Sequence, residues 1–243
     1  MFLKKVDIFQ KINKLITSPE SLHKECKLLL KYLFDLYIIK YINFTELSLL
    51  KKTYQDQGFI IFMNHTSIVA DYLLIQSKIN NYTVTLQGLF KKLLYFSEYS
   101  DKQMAIRCQL IEYERDNSNK KKISGIQVKK KILQKIKEKQ NVVIYPEGTM
   151  TPKKNLKKFK KGSIYLSYEN NIPILPIIVD YKDDYYINND SELNRLEHHL
   201  SDQKGIDVHM LKFIYPENFD NFDSYYHNIY RNMNDFYIKI KNK

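Results

Sequence analysis

Two short apolar runs, each stopping at a cluster of polar groups, constrain what this chain can fold into. Gly58-Phe59-Ile60-Ile61-Phe62-Met63 ends at Asn64-His65, and Asn141-Val142-Val143-Ile144-Tyr145 ends at Pro146-Glu147-Gly148-Thr149. The apolar residues in these runs are consecutive rather than alternating. Each run therefore reads as a strand buried on both faces, as in a parallel sheet covered by helices. A third run, Ile172 to Val179, contains Pro173 and Pro176. Proline has no N–H to give a ladder, which predicts an edge strand or irregular pairing there. Cys108 to Glu114 alternates enough for another strand and leads into Arg115, and Val208 to Ile214 supplies one more.

Between these runs the period changes. Lys120 to Lys139 carries Ile123, Ile126, Val128, Ile132, Leu133 and Ile136 at helical spacing. Shorter helices are predicted over Ser163 to Glu169 and, after Pro216, over Ser224 to Ile240. The first fifty residues also pattern as helix, broken at Ser18-Pro19-Glu20, where Ser18 is a candidate cap. Within them, Leu28 to Ile42 predicts an amphipathic helix that either packs on the core or lies at a membrane interface. Lys31, Asp35 and Lys40 make the same stretch too charged for a membrane span. The expected fold class is α/β, a mostly parallel mixed sheet flanked by helices with an N-terminal helical segment. The expected organisation is residues 1–50 as amphipathic helices and residues 51–243 as one catalytic-type domain, with Asp183 to Asp190 as a surface loop.

Charge narrows the partners. Lys and Arg number 39 against 27 Asp and Glu, a formal net charge of +12, which suits a polyanion: nucleic acid or an anionic membrane leaflet. The lysines are spread over solvated helices rather than interleaved with stacking aromatics, which argues against nucleic acid. Two cysteines, Cys26 and Cys108, argue against a disulfide framework. Lys4, Lys5 and Asp7 precede any apolar run, so no signal peptide is expected.

In an open α/β sheet, reactive groups gather beyond the carboxyl ends of the strands. His65 stands at such an end, and an imidazole titrates near neutrality, as a general base must. A lone histidine is more often structural. Asp71, six positions on, is the candidate carboxylate that would fix its tautomer. No nucleophile-elbow motif accompanies them, so direct activation of a substrate hydroxyl is the simpler chemistry. Arg115, at another strand end, reads either as a phosphate contact or as part of a solvated basic face. Tyr145-Pro146-Glu147-Gly148-Thr149 reads either as a polar headgroup loop or as a plain strand-terminating turn. Phe159-Lys160-Lys161-Gly162 places cations before a helix, where a phosphate can be received.

Asn64-His65 with Asp71, Arg115, Pro146-Glu147-Gly148-Thr149 and Ile172-Pro173-Ile174-Leu175-Pro176 follow the order of the four motif blocks of the glycerolipid acyltransferases, which the segment Tyr54 to Asp180 resembles. That family includes lysophosphatidic acid, glycerol-3-phosphate and lysophospholipid acyltransferases. The resemblance implies that His65 deprotonates an acceptor hydroxyl, which attacks an acyl-CoA thioester, while Asp71 supports the imidazole. It implies that Asn64, Arg115, Glu147, Gly148, Thr149 and Lys160 bind the acceptor, a glycerophosphate or lysophospholipid, with 1-acyl-sn-glycerol-3-phosphate the best single choice. Lysophosphatidylcholine, lysophosphatidylinositol and lysocardiolipin are alternatives. Neither a metal nor a bound cofactor is expected, acyl-CoA being a co-substrate. The expected location is a membrane surface, peripheral or monotopic, with the site on the cytoplasmic side.

Two positions depart from the family pattern. Five residues, Thr66 to Ala70, separate His65 from Asp71 where the pattern has four. In a continuous helix, one extra residue rotates the carboxylate by about 100°. Either the preceding turn absorbs it, or His65 works with water or a backbone partner in a catalytically impaired lipid-binding relative. Met150 stands where relatives often carry Arg.

Overall fold

The structure, a computed structural model, describes residues 39–44, 58–66, 74, 79, 82–87, 110–113, 120–149, 151, 155–182 and 205–242. The strands are β1 (Ile39–Ile42), β2 (Ile60–Met63), β3 (Tyr82–Gln87), β4 (Leu110–Tyr113), β5 (Asn141–Ile144), β6 (Ile174–Tyr181) and β7 (Ile206–Met210). The α-helices are α1 (Lys120–Lys137), α2 (Lys161–Glu169) and α3 (Phe222–Lys241), with a 3-10 turn at Pro216–Asn218. Among the described residues the strands form one sheet in the order β1-β7-β6-β2-β5-β3-β4. From β6 to β4 every pairing is parallel. β7 runs antiparallel to β6, and β1 is parallel to β7. The fold is thus the mixed, mostly parallel α/β sheet that the apolar runs require.

The two unbroken runs become the centre of that sheet. Ile60, Ile61, Phe62 and Met63 of β2, and Val142 and Val143 of β5, are fully buried, so both faces are covered. Ile60, Phe62, Val142, Ile144, Ile174 and Ile178 belong to one cluster with Ile132 and Ile136 of α1, Ile164 and Leu166 of α2, and the α3 stripe. That stripe, Tyr225, Tyr226, Ile229, Met233 and Tyr237, recurs at helical spacing and is almost wholly buried. Asn221 caps α3, its side chain accepting from Ser224 N at 2.9 Å.

Two expectations are corrected in part or whole, and one strand was not anticipated. β6 is an interior strand, between β2 and β7, so the edge position is overturned and the irregular pairing, the other alternative its prolines allowed, holds. Pro173 immediately precedes β6, a position that tolerates a missing N–H, and its carbonyl still accepts from Ile60 N at 3.1 Å. Pro176 sits where β7 leaves the ladder: Ile177 pairs with Met210, yet Ile174 pairs with Ile214. Three steps along β6 therefore face four on the other side, and this bulge absorbs the missing N–H. Ile39–Ile42, read as the end of an amphipathic helix, is a strand in register with Ile206 to His209. Tertiary pairing overrides the local period there, and residues 28–38 lie outside the described residues. β3 was not anticipated, although Tyr82-Thr83-Val84-Thr85-Leu86 alternates and is rich in β-branched residues. The Asp183 to Asp190 loop, the Ser18 cap and both cysteines also lie outside the described residues. No helix among the described residues is long and apolar enough to cross a membrane.

Candidate active site

The adjacent parallel strands β2 and β5 end side by side, and their exit segments form the site. After β2 the chain passes through buried Asn64 to half-buried His65. After β5 it makes a turn in which Gly148 N donates to Tyr145 O at 3.0 Å, with Pro146 at the second position. Gly148 has φ 65°, the left-handed region that glycine enters without strain. This lets the chain double back, so that Thr151 reaches His65.

The two segments are laced together. His65 N donates to Thr151 Oγ1 at 2.7 Å, and Thr151 N donates to His65 O at 2.7 Å. The Thr151 hydroxyl in turn donates to a carboxylate oxygen of Glu147. The other oxygen of Glu147 accepts from Lys157 N at 2.7 Å. The imidazole of His65 lies over the ring of Tyr145, centroids 4.2 Å apart and planes 26° from parallel. Burial pushes the Glu147 carboxyl above its ordinary value, against the opposing pull of the Thr151 hydroxyl, the Lys157 N–H and the charges of Lys157 and His65.

The expected site residues fall into three groups. His65, Gly148 and Thr149 are half-buried at the strand ends, open enough to meet a substrate. Lys160 is exposed at the start of α2, its N–H held by Pro146 O at 2.8 Å. Asn64 and Glu147, expected to contact the acceptor, are buried and bonded within the framework of the site. Asn64 is 1% exposed; its Oδ1 accepts from Val179 N at 2.8 Å and its Nδ2 donates to Val179 O at 2.9 Å and Thr66 Oγ1 at 3.0 Å. Glu147 is 2% exposed with both oxygens bonded inside the protein. Asp71, Arg115 and Met150 lie outside the described residues. Thr151 and Tyr145 were missed as site residues. Nothing in the local sequence says that Thr151 will bond a residue 86 positions away.

Away from this site, Asp180, Asp207 and His209 offer three ligand atoms within 4.8 Å of one another. Two ammonium groups already supply the positive charge there. Lys182 reaches Asp180 at 2.5 Å and Asp207 at 2.8 Å, and Lys241 reaches Asp180 at 2.5 Å. The cluster is an ion-pair knot joining the end of α3 to the sheet.

Comparison with known proteins agrees with this architecture. A crystal structure of the 1-acyl-sn-glycerophosphate (LPA) acyltransferase PlsC from Thermotoga maritima matches with a TM-score of 0.59, covering 100% of this chain and 90% of that one. Sequence identity is 14%, so this likeness concerns the fold. The human 1-acyl-sn-glycerol-3-phosphate acyltransferase beta is 37% identical over 51 residues, 21% of this chain and 18% of that protein. The 1-acyl-sn-glycerol-3-phosphate acyltransferase of Cocos nucifera is 29% identical over 121 residues, 49% of this chain and 36% of that protein. The matched segments thus span about a fifth and about a third of these curated relatives. A family model described as Acyltransferase matches residues 42–180, more than half of the 243, and includes both strand ends that build the site. The chain belongs to the acyltransferase family.

Proposed function

We propose that the protein transfers a fatty acyl group from acyl-CoA to a free hydroxyl of a lysophospholipid or glycerophosphate, with 1-acyl-sn-glycerol-3-phosphate the first choice of acceptor. The observation that carries this reading is His65 itself: an imidazole at the end of a central parallel strand, half-buried, backbone-clamped and ring-stacked. Such a group takes the acceptor's hydroxyl proton as the oxygen attacks the thioester carbonyl, and the thiolate of CoA leaves. Asp71 is proposed as its carboxylate partner. Arg115, Gly148, Thr149 and Lys160 are proposed to receive the glycerol and phosphate. The half-buried Gly148 and Thr149 and the exposed cation of Lys160 suit that task. The 1-acyl-sn-glycerol-3-phosphate acyltransferases of Homo sapiens and Cocos nucifera, to which the chain is similar, support the choice of acceptor.

A lipid acceptor has to be collected from a bilayer, and a net charge of +12 favours an anionic surface. We place the protein there as a peripheral or monotopic protein with its site facing the cytoplasm. One experiment tests both parts. Purified protein is incubated with acyl-CoA and vesicles carrying lysophosphatidic acid, lysophosphatidylcholine, lysophosphatidylinositol or lysocardiolipin, or with soluble glycerol-3-phosphate, and free CoA and bound protein are measured. Acceptor-dependent CoA release is expected with at least one glycerophospholipid acceptor, with lysophosphatidic acid preferred. Binding to anionic vesicles is expected to weaken as salt rises. Release of no CoA above the acceptor-free rate with any of them contradicts the catalytic reading. Equal binding to neutral vesicles at all salt concentrations contradicts the surface.

A further inference from the structure

We propose that Thr151 is a positioning residue for the base, fixing the backbone of His65 while Glu147 fixes Thr151. The proposal rests on the reading of His65 as the base. It starts from an unusual concentration of bonds on one small side chain. Thr151 accepts from His65 N, donates its own N–H to His65 O, and donates its hydroxyl proton to Glu147.

The direction of these bonds is fixed by chemistry. A backbone N–H only donates, so the Thr151 oxygen must accept from His65. Its single proton is then free to point elsewhere, and the carboxylate of Glu147 takes it. One oxygen of Glu147 takes the Thr151 proton and the other the Lys157 N–H, so the end of the relay is also its anchor. The second oxygen of Glu147 accepts from Lys157 N, and Lys160 N is held by Pro146 O. The 155–160 segment is therefore tied to the same turn that holds His65.

Burial separates this role from substrate binding. Thr151 is 1% exposed and Glu147 2%, so neither presents a surface to an acceptor in this conformation. His65, which Thr151 holds, is half-buried. The two backbone bonds fix where the His65 side chain starts, and the Tyr145 ring limits how its imidazole lies. This support comes from the β5 side of the site and does not pass through Asp71. It supplies a fixed base even if the one-residue insertion between His65 and Asp71 loosens the carboxylate partner.

Thr151→Val removes the hydroxyl at nearly constant volume, Thr151→Ser keeps it, and Ser167→Ala breaks a buried hydrogen-bonded pair with Tyr225 away from the site as a stability control. A displacement of the base on the order of 1 Å costs about 100-fold in rate. Thr151→Val is expected to lower kcat by roughly 10- to 100-fold with KM for acyl-CoA changed less than about threefold, a loss confined to the chemical step. Thr151→Ser is expected to stay within about threefold of wild type, and Ser167→Ala to lower the melting temperature without lowering kcat at a temperature where it is folded. Amide hydrogen exchange at His65 gives a readout that needs no turnover: faster in Thr151→Val, unchanged in Thr151→Ser. Wild-type kcat and His65 protection in Thr151→Val overturn the proposal, as does a Thr151→Ser enzyme as slow as the valine variant. Undiminished turnover by His65→Ala overturns instead the reading of His65 as the base.

Discussion

Asn64 does at the end of β2 what a peptide group does inside a ladder. Its amide offers Val179 both an acceptor and a donor, so the pairing of β2 with β6 continues one residue beyond the strand through a side chain. Replacing it with alanine leaves the buried N–H and C=O of Val179 without these partners. At about 1–3 kcal/mol for each unsatisfied buried group, Asn64→Ala is expected to lose roughly 2–6 kcal/mol in urea unfolding. Asn64→Asp is expected to cost at least as much, because an oxygen would then face the Val179 carbonyl. A loss below about 0.5 kcal/mol for Asn64→Ala contradicts this role. The family resemblance, not any pairing legible in the sequence, made Asn64 read as a substrate contact. Its real partner lies 115 positions away. Glu147 was likewise expected at the acceptor from the resemblance, and only the folded chain shows Thr151 and Lys157 closing over it. His65 itself was legible, because a titratable group at the end of a fully apolar run needs no long-range information to be noticed.

The elements were legible where their period was unambiguous. β2 and β5 read as buried strands and are so; α1 and α3 follow their predicted spans to within a few residues. β1 failed because Leu28 to Ile42 reads as one helical stripe, while Ile39–Ile42 finds a strand partner in Ile206 to His209. Of the two readings of β6, irregular pairing held, as the bulge opposite Pro176, and the edge position failed because a proline count does not say which strands will flank the run. Gly58 shows how tightly the entry to β2 is set. Its N–H bonds Ile136 O at 3.1 Å, and a Cβ built on it would lie 2.1 Å from Gln140 O. That neighbour is backbone, at the junction between α1 and β5, and cannot swing aside. Gly58→Ala is expected to lower stability by about 1–3 kcal/mol through forced displacement of the strand entry. A Cβ at Gly125, inside α1, would meet nothing within 4 Å among the described residues beyond its own stretch of helix, so Gly125→Ala is expected to gain up to about 1 kcal/mol of helix propensity. Thermal unfolding of both variants checks the pair, and a neutral Gly58→Ala contradicts the close approach.

At the scale of the whole molecule, the sheet order brings residues far apart in sequence to one edge of the fold. β2 lies between β5 and β6, so the segments after Met63, after Ile144 and near Val179 meet although more than a hundred positions separate the first from the last. α3 packs against β6 and α2, its tyrosine stripe joining the common core, and Lys241 secures its last turn to Asp180. The fold and the strand-end site were therefore readable from two apolar runs and their polar ends. The clamp that holds the site was not, because it is made of backbone and buried oxygen atoms whose pairing the sheet order alone decides. The central claim is that this framework presents His65 as the base of an acyl transfer. Acyl-CoA turnover with the preferred lysolipid, measured as released CoA for wild type and His65→Ala at matched folded protein, tests it most directly. Loss of a general base is expected to lower kcat by roughly 100- to 10,000-fold in His65→Ala, with the fold retained. Equal turnover by the two proteins would contradict it.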